Sequence, residues 1–574
     1  MERSTPRARA GVSPARGVRL ARVLLPVSIA AACAVSACAR LEIDVPSPPP
    51  PPPAPPAGDH ATVGLTSLVA GVDRLRAEWR VHSGAPLEVE LALFVATARA
   101  DVFDATPLLL TGTEGHVLVQ SLATDQDYYV GLGQRASPSD AFTPAGPVLR
   151  ARTGTVIYVD PAADGSGDGT SASSPLGDLT LGVLNAFVAG GANVWVRGGT
   201  FTTQSVPLFA GVHLSGGFSS TFRLVDRDTV LNPTRLEGFA GQPVVALQTG
   251  TAGPGILDGF ELDGLNVASD GVFESSEHCE LRSVRIRRCG RGVRLRAPLA
   301  TTPVPVVLAN VTVQESQNEG LSVDGAFDLA LEGCVFDANA NEGCDLNHLV
   351  APEFSSANLR IRGSRFLRNG TEGLDAHLGV PAGAGHGGGR FRVEIEDCDF
   401  ELNALDGARV DIDYDFFPEW DAEITVRGCR ARANGGSGVH LDLDSRASAI
   451  VHRLWSSANR LDGLGLTSES YPGFCTVSAS VLAGNLGRGA HASLGHYALS
   501  LSHCIVAGNA TGGVHSSIVR SIVHSTIFDR QPDALVGTTA IACPSATLID
   551  ASPFELAPLE FLLATGASLV LRAW

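Results

Sequence analysis

Asp, His and Arg side chains recur at fixed distances after a repeated glycine in the middle of the chain. Counted from Gly373, Gly407 and Gly438, they stand at the second, fourth and sixth following positions. The members of this set are Asp375, His377, Arg409, Asp411, Asp413, His440, Asp442 and Asp444. Imidazole and carboxylate groups transfer protons, a guanidinium neutralises developing negative charge, and grouped carboxylates hold divalent cations. The set therefore indicates one polar surface suited to catalysis, to binding or to both.

Alternation of polar and apolar residues places these side chains on strands. Odd positions after each glycine are mostly apolar and even positions mostly polar, which is typical of strands with one buried face. Equivalent residues of stacked strands lie about 4.8 Å apart, so we expect Asp411 over Asp442 and Asp413 over Asp444. Carboxylates this close repel unless a proton, an Arg or a cation intervenes. Asp413 and Asp444 are therefore a candidate Ca²⁺ site, and no organic cofactor is expected.

An Asn precedes each of these glycines by four residues, and the pair recurs seven times. The pairs are Asn339/Gly343, Asn369/Gly373, Asn403/Gly407, Asn434/Gly438, Asn459/Gly463, Asn485/Gly489 and Asn509/Gly513. A repeat this short cannot bury its own apolar face, so the repeats must stack. We expect the Asn side chains to form an inward ladder, each amide bonding the next. We expect the Gly to supply the unusual backbone angles of a turn.

The segment before the repeats begins with the apolar strand pattern Ile157-Tyr158-Val159-Asp160-Pro161. Residues 176–188 have helical spacing, and residues 193–201 read as a strand followed by a turn. This order resembles the entry of bacterial right-handed parallel β-helix proteins of the pectin-lyase-like fold. The resemblance covers about residues 155–574 and implies an all-β fold, a single-stranded right-handed parallel β-helix (solenoid) with an N-terminal cap helix. Such a cap covers an exposed sheet edge. Asp164 and Asp168 in the entry loop are expected to form turns rather than to bind Ca²⁺.

Three functions are compatible with the polar surface, and the sequence leaves them open. The first is a cell-surface protein that binds polysaccharide, or mediates adhesion, without catalysis. In the second, Arg409 or a metal neutralises a uronate carboxylate while His377, His440 or Arg409 moves the C5 proton. Asp375-Ala376-His377-Leu378 resembles the Asp-Pro-His-Glu motif of mannuronan epimerases, and the fold resemblance implies the related lyases. In the third, paired acids hydrolyse a glycoside, and Gly385-His386-Gly387 resembles a polygalacturonase motif.

Aromatic residues flank the polar surface in the loops that connect its strands. The loops cover residues 379–389, 414–420 and 469–474, and their aromatic members are Phe416, Phe417, Trp420 and Tyr471. Sugar rings stack on such faces, so these loops favour a polysaccharide partner.

A small β-sandwich is predicted for residues 61–153. Residues 75–79 alternate as a strand with a buried Trp79, and residues 87–95 alternate again. Leu122 precedes Tyr128 by six residues, and the apolar strand Tyr129-Val130-Gly131-Leu132 follows. This pattern resembles the corner before strand F of fibronectin type III domains, in which Tyr128 would be the corner tyrosine. The resemblance implies a spacer or an interaction module that precedes the β-helix.

The N-terminus carries the signals of an exported lipoprotein. Residues 1–37 contain six Arg and a short apolar stretch, which is typical of a signal peptide;. Val35-Ser36-Ala37-Cys38 resembles the lipobox of bacterial lipoproteins, in which Cys38 would be acylated. Ala39 after the Cys favours an outer-membrane location. Residues 38–60 include a proline run, which acts as a stiff tether in polyproline II conformation.

The composition argues against one class of partner and against lysine-dependent chemistry. The net charge is −18, so we expect no nucleic-acid partner and a monomer whose membrane contact is the lipid anchor. All 42 basic residues are Arg, which excludes Schiff-base and phosphate-loop lysines.

Nine Cys lie beyond Cys33 and Cys38, and four of them share one register. Cys334, Cys398, Cys429 and Cys504 each stand five residues before a repeat Asn. They are expected to form one buried column, either as stacked thiols or with a Cys398–Cys429 disulfide.

Overall fold

The computed structural model describes most of the chain beyond residue 61. The described residues are 62–82, 89–202, 204–248, 253–275, 278–297, 303–349, 356–379, 390–413, 421–443, 446–468, 474–493, 498–516, 520–529, 535–537, 541–549 and 570–572. The predicted signal peptide, Cys38 and the proline tether lie outside this set. So do most of the flanking loops with Phe416, Phe417, Trp420 and Tyr471, and the motif at residues 385–387.

Residues 62–152 form two antiparallel sheets packed face to face. The first consists of Val63–Ala70, Leu75–Val81 and Glu114–Val119. The second consists of Glu90–Ala96, Leu108–Leu110, Asp127–Arg135, Thr143–Pro144 and Leu149–Arg152, with a 3-10 helix at Arg99–Asp104. Trp79 is buried as predicted. The Tyr128 hydroxyl accepts a hydrogen bond from the Ala123 backbone N–H at 2.9 Å and ties the chain before this strand to the sheet.

From residue 156 onward the chain winds into a parallel β-helix, which confirms the predicted fold class. Each full turn contributes one strand to each of three parallel stacks, here called the first, second and third sheets. The first sheet comprises Val156–Val159, Asn193–Arg197, His213–Phe218, Gly255–Asp258, Cys279–Arg282, Val304–Ala309, Phe327–Glu332, Ser356–Arg362, Arg390–Glu396, Asp421–Arg427, Arg446–His452, Phe474–Ser478, Ala498–Ser502, Arg520–Asp529, Ile541–Ile549 and Val570–Arg572.

The other two sheets follow in the same order along the chain. The second sheet comprises Gly199–Thr202, Thr234–Glu237, Phe260–Asp263, Arg285–Arg287, Thr312–Gln314, Val335–Asp337, Arg365–Leu367, Asp399–Glu401, Arg430–Arg432, Trp455–Ser457, Val481–Ala483 and Ile505–Ala507. The third sheet comprises Val206–Phe209, Val245–Gln248, Asp270–Ser275, Arg291–Arg296, Leu321–Asp324, Cys344–Leu349, Leu374–Gly379, Ala408–Asp413, Val439–Leu443, Leu464–Thr467, Arg488–Ser493, Gly512–Ser516 and Leu535–Gly537.

The predicted Asn ladder runs through the interior at the corner before the third sheet. Asn434 shows the pattern: its Nδ2 donates to Asn459 Oδ1 at 3.0 Å and to the Phe400 carbonyl at 3.0 Å. Its Oδ1 accepts from the Asn403 backbone N–H and side chain at 3.1 and 3.0 Å. Every side-chain donor and acceptor used in this way is buried, so the ladder satisfies backbone groups that the corner would otherwise leave unpaired.

The repeated Gly has a different role from the predicted one. None of the repeat glycines from Gly343 to Gly489 has a positive φ. A Cβ at Gly407 would instead lie 2.4 Å from the Gly438 carbonyl and 2.8 Å from Asn434 Nδ2. The left-handed conformation falls on the residue before each Asn, for example Leu402 at φ 60° and Ala433 at φ 54°. The Gly is therefore required by the close approach of adjacent turns, and the prediction of unusual backbone angles there was wrong.

The Cys column forms as stacked free thiols. Cys334, Cys398, Cys429 and Cys504 are buried, and none is in a disulfide. Each Sγ donates to the carbonyl two residues earlier, as in Cys398 to Glu396 at 3.2 Å. Ser364 occupies the same column, and its hydroxyl donates to the Arg362 carbonyl at 3.0 Å. The column therefore supplies a small donor at the bend between the first and second sheets, and of the two alternatives the structure shows stacked thiols rather than a Cys398–Cys429 disulfide.

The predicted cap helix is present at Leu179–Val188 and closes the first turn of the coil. The Asp178 side chain caps it by accepting from the Leu181 N–H at 3.0 Å. Leu179 and Val183 are buried on the coil, whereas Leu184, which has the same apolar spacing, is 39% exposed. In the loop before the helix, Asp164 and Asp168 each accept hydrogen bonds from the residue two positions later. They form the expected turns.

The sandwich packs lengthwise on the coil, and both belong to one compact unit. Strand Val63–Ala70 crosses successive turns along one column of first-sheet residues. The register of that column is Trp195, Ser215, Asp258, Arg282, Ala309, Glu332 and Arg362. At one end the Trp195 indole N–H donates to the Ala70 carbonyl at 3.0 Å. At the other end Thr62 hydrogen-bonds Asp397.

Charged groups are buried under this strand. Arg227 donates to Asp258 at 2.6 Å, to Ser67 Oγ at 2.8 Å and to the Gly216 carbonyl at 2.8 Å. Arg282 donates to the Leu68 carbonyl at 2.8 Å. Buried charges are tolerated only when they are paired in this way, so these contacts fix how the sandwich and the coil dock.

Among the described residues, no helix combines the length and apolar character that a bilayer span requires.

Candidate functional site

The third sheet places the six candidate catalytic residues in two adjacent outward columns, as predicted. We call them the third-sheet stripe: Asp375, His377, Arg409, Asp411, His440 and Asp442. Asp375 pairs in register with Arg409 and Arg409 with His440, while His377 pairs with Asp411 and Asp411 with Asp442. The residues between them are buried in the core. The alternation required by the pleat is thus sufficient to bring all six to one face.

Asp411 is the centre of the side-chain contacts within the stripe. His377 Nδ1 lies 3.2 Å from Asp411 Oδ2, and an Arg409 terminal nitrogen lies 3.4 Å from the same oxygen. The His377 side chain is 41% exposed and that of Asp411 is 21% exposed. Asp411 therefore orients one acid–base group and one cation, and both of them remain accessible to a ligand.

His440 makes its contacts with residues that the sequence analysis did not select. Its Nδ1 lies 3.4 Å from Asp406 Oδ2, and its Nε2 lies 3.1 Å from Thr467 Oγ1. The same arrangement recurs where His491 Nδ1 lies 2.9 Å from Asp462 Oδ2. Asp406 and Asp462 each directly precede a repeat Gly. That position, which faces the strand of the next turn, is the signal that would have identified them.

Two polar atoms of the stripe are buried and have no hydrogen-bond partner among the described residues. They are Arg409 Nε, a donor, and Asp442 Oδ1, an acceptor. They lie on neighbouring strands, because Arg409 pairs with His440 and Asp442 follows His440 by two residues. A buried group without a hydrogen bond is costly, so a polar ligand that reaches these atoms would be stabilised by pairing with them.

Carboxylates crowd the end of the stripe that lies toward the N-terminal turns. Burial raises the pKa of Asp345 to about 6, with repulsion from Glu342, Glu319 and Asp375 adding to it. Burial also raises the pKa of Asp375, an effect that Arg409 opposes. Asp345 and Asp375 are register partners on adjacent strands. Carboxylates thus face one another at this end of the stripe, whereas Arg409 and His440 lie beside Asp411 and Asp406 further along it.

The predicted Ca²⁺ site lies outside what the structure describes. Asp413 ends the strand Ala408–Asp413, but its side chain and all of Asp444 belong to the undescribed part. Among the described residues, no group of three or more His, Cys, Asp or Glu side chains is placed to hold a metal ion.

Comparisons with known proteins found similar solved structures but no similar sequence family. No protein-family model matches the chain, and no curated protein matches its sequence. Among solved structures, pectate lyase Pel9A is 14% identical with a TM-score of 0.27, over 72% of this chain and 81% of that one. The family 28 exopolygalacturonase of Yersinia enterocolitica is 10% identical with a TM-score of 0.29, over 86% of this chain and 100% of that one. Similarity at this level assigns neither an activity nor a substrate to this chain.

Proposed function

We propose that the chain is a lipid-anchored surface protein whose third-sheet stripe binds polysaccharide. The observation that carries the proposal is that Arg409 Nε and Asp442 Oδ1, on neighbouring strands of one outward face, have no hydrogen-bond partner within the described part of the chain. Sugar hydroxyls both donate and accept, so a saccharide can offer an acceptor to Arg409 Nε and a donor to Asp442 Oδ1, whereas a purely cationic or anionic group would satisfy one of them.

The repeat of the coil suits an extended polymer. Side chains of one column recur about every 4.8 Å along the stack, so a chain lying along the axis meets polar groups on every turn. His377, Asp411 and His440 are all held by neighbours. Such preorganised groups bind at a lower entropic cost than free side chains.

Affinity electrophoresis tests this proposal with pectate, alginate and heparin embedded in native gels, each with and without Ca²⁺. We expect at least one polysaccharide to retard the protein and Arg409→Ala to lose most of the retardation. Arg432→Ala is the matched control, because Arg432 is an exposed Arg on the second sheet. Equal mobility of the native protein in all gels, or equal effects of the two substitutions, would refute binding at the stripe.

A second candidate function, uronate lyase or C5-epimerase, is favoured by the contacts around Asp411. His377 is held at 3.2 Å by Asp411, and Arg409 lies beside the same carboxylate. In this reaction Arg409 would neutralise the uronate carboxylate and His377 would remove the C5 proton. A lyase product absorbs in the ultraviolet at the unsaturated uronate band, whereas epimerisation requires proton NMR of the polymer. Activity that survives in both His377→Ala and Arg409→Ala would exclude this assignment.

The proposal includes the anchor and the module order expected from the sequence. Cys38 would carry the lipid, residues 38–60 would be the tether, and residues 61–153 would be a fibronectin type III-like module. The Tyr128 hydroxyl bond to Ala123 supports the module assignment;. Detergent phase partitioning of membrane fractions tests the anchor: Cys38→Ser should move the protein from the detergent phase to the aqueous phase. Unchanged partitioning would exclude acylation at this residue.

A further inference from the structure

A cleft of about 720 Å³ lies where the sandwich meets the second sheet, on a different face from the third-sheet stripe. Its sandwich wall is formed by residues of Leu75–Val81 and Glu114–Val119. Its coil wall is formed by residues of Phe260–Asp263, Arg285–Arg287 and Thr312–Gln314. The volume is that of a small-molecule site, and junctions between modules are a preferred place for such sites.

The floor of the cleft is rigid. Arg227, whose side chain is 0% exposed, lines it with its guanidinium bonded to Asp258, Ser67 and the Gly216 carbonyl. Glu78, which also lines the cleft, lies 3.3 Å from the same guanidinium. A ligand would therefore meet a preorganised surface that does not rearrange on binding.

The charges on the walls are already balanced. Arg80 pairs with Glu114 at 3.1 Å on the sandwich side, and Arg285 pairs with Glu261 at 3.2 Å on the coil side. These pairs are solvent-exposed and individually weak;, but together they present no net charge that would attract an ionic ligand. A neutral ligand with hydroxyl groups can donate to the carboxylates and accept from the guanidiniums without separating them.

Uncharged polar groups continue this lining across the junction. Asn310 Nδ2 donates to Ser283 Oγ at 3.0 Å, and Ser283 Oγ donates to the Thr66 carbonyl at 3.0 Å. Trp79 also lines the cleft, and its buried indole N–H has no acceptor among the described residues. Amide, hydroxyl and indole groups around balanced ion pairs are the chemistry that recognises sugar hydroxyls.

We propose that this cleft binds a short neutral oligosaccharide. It is a second site, independent of the polysaccharide stripe on the third sheet. Because the ligand carries no charge, its affinity is insensitive to salt, in contrast to the binding of an anionic polymer.

Isothermal titration calorimetry with the full chain tests the site, with cellotetraose, maltotetraose and chitotetraose as neutral probes and tetragalacturonate as the charged probe. Thr312→Trp fills the coil wall of the cleft. Val335→Trp is the matched control, because Val335 follows Thr312 in the same second-sheet column but does not line the cleft. The column already accepts a Trp, since Trp455 occupies it further along.

We expect at least one neutral tetrasaccharide to bind, with an affinity that falls at least tenfold in Thr312→Trp and stays unchanged in Val335→Trp. Binding should also persist in Arg409→Ala, which alters the stripe alone, and should not change between low and high salt. The proposal is overturned if no neutral probe binds the native chain, if the two Trp variants behave alike, or if only tetragalacturonate binds.

Discussion

Glu332 provides the sharpest test of how the sandwich and the coil are held together. Its side chain lies in the first-sheet column under strand Val63–Ala70, is 0% exposed, and has no hydrogen bond to either carboxyl oxygen among the described residues. Burial raises its pKa from 4.5 to about 8, although Arg362 and Arg360 oppose the shift. We predict that Glu332→Gln, which keeps the shape and cannot ionise, makes the folded state less sensitive to pH.

The sign and size of the effect follow from the two pKa values. A carboxyl whose pKa is higher in the folded state takes up a proton on folding between pH 4.5 and pH 8. Stability is therefore greatest below pH 4.5 and falls as the pH rises toward 8. At about 1.36 kcal/mol per pKa unit, Glu332 should lower the free energy of unfolding by about 3.5 kcal/mol between pH 5 and pH 8. Glu332→Gln has no carboxyl group to ionise at this position, so its free energy of unfolding should not fall for this reason.

Urea unfolding curves at pH 5 and pH 8 measure the difference. The control is Glu423→Gln, because Glu423 is a half-exposed Glu of the same sheet. All other titrating groups are common to the three proteins, so the difference in pH dependence isolates Glu332. We expect the native protein and the control to lose about 3.5 kcal/mol more than Glu332→Gln. Parallel profiles for all three proteins would show that the carboxyl is paired or hydrated in the folded state.

Three further predictions concern the packing of the turns. Gly407→Ala should lower the unfolding free energy by about 3 kcal/mol, because its Cβ would lie 2.4 Å from the Gly438 carbonyl;; a thermal midpoint equal to that of the native protein would contradict this. Asn434→Ala should cost about 2 to 4 kcal/mol through unpaired ladder groups, and faster amide exchange confined to its own and adjacent turns would confirm it. Asp258→Asn should leave the buried Arg227 guanidinium with Glu78, at 3.3 Å, as its remaining carboxylate partner, at a cost of about 3 kcal/mol, and limited proteolysis should then release the sandwich; an unchanged digestion pattern would argue against this docking role.

The fold could be predicted because its signals are local. Strand alternation has a period of two, and the Asn ladder returns at every turn, so both are visible along the chain. The role of the repeat Gly could not be predicted from the sequence, because Gly is required equally at a positive φ and where adjacent turns pack closely. Gly407 meets a carbonyl 31 residues away, whereas the positive φ falls on ordinary residues such as Leu402.

The docking of the sandwich was missed for a related reason. Asp258 and Arg282 occupy one column, but their partners Ser67 and Leu68 lie about 200 residues earlier in the chain. No short-range pattern marks such contacts. The stripe was predicted because its columns follow the same repeat as the Asn. Asp406 could not be predicted in the same way, because it precedes the repeat Gly and the alternating strand begins only after that Gly.

The strand that lies across the coil also limits how the chain can vary in length. Strand Val63–Ala70 forms hydrogen bonds with Trp195 and, on later turns, with Asp258 and Arg282. Thr62, just before this strand, hydrogen-bonds Asp397 on a turn still further along the coil. Inserting or deleting one whole repeat between these turns would displace every later partner by about 4.8 Å. Arg453, beyond Asp397, also lines the pocket that Thr62 and Val63 border. Related chains should therefore gain and lose repeats toward the C-terminal end, and keep their number constant beneath the sandwich.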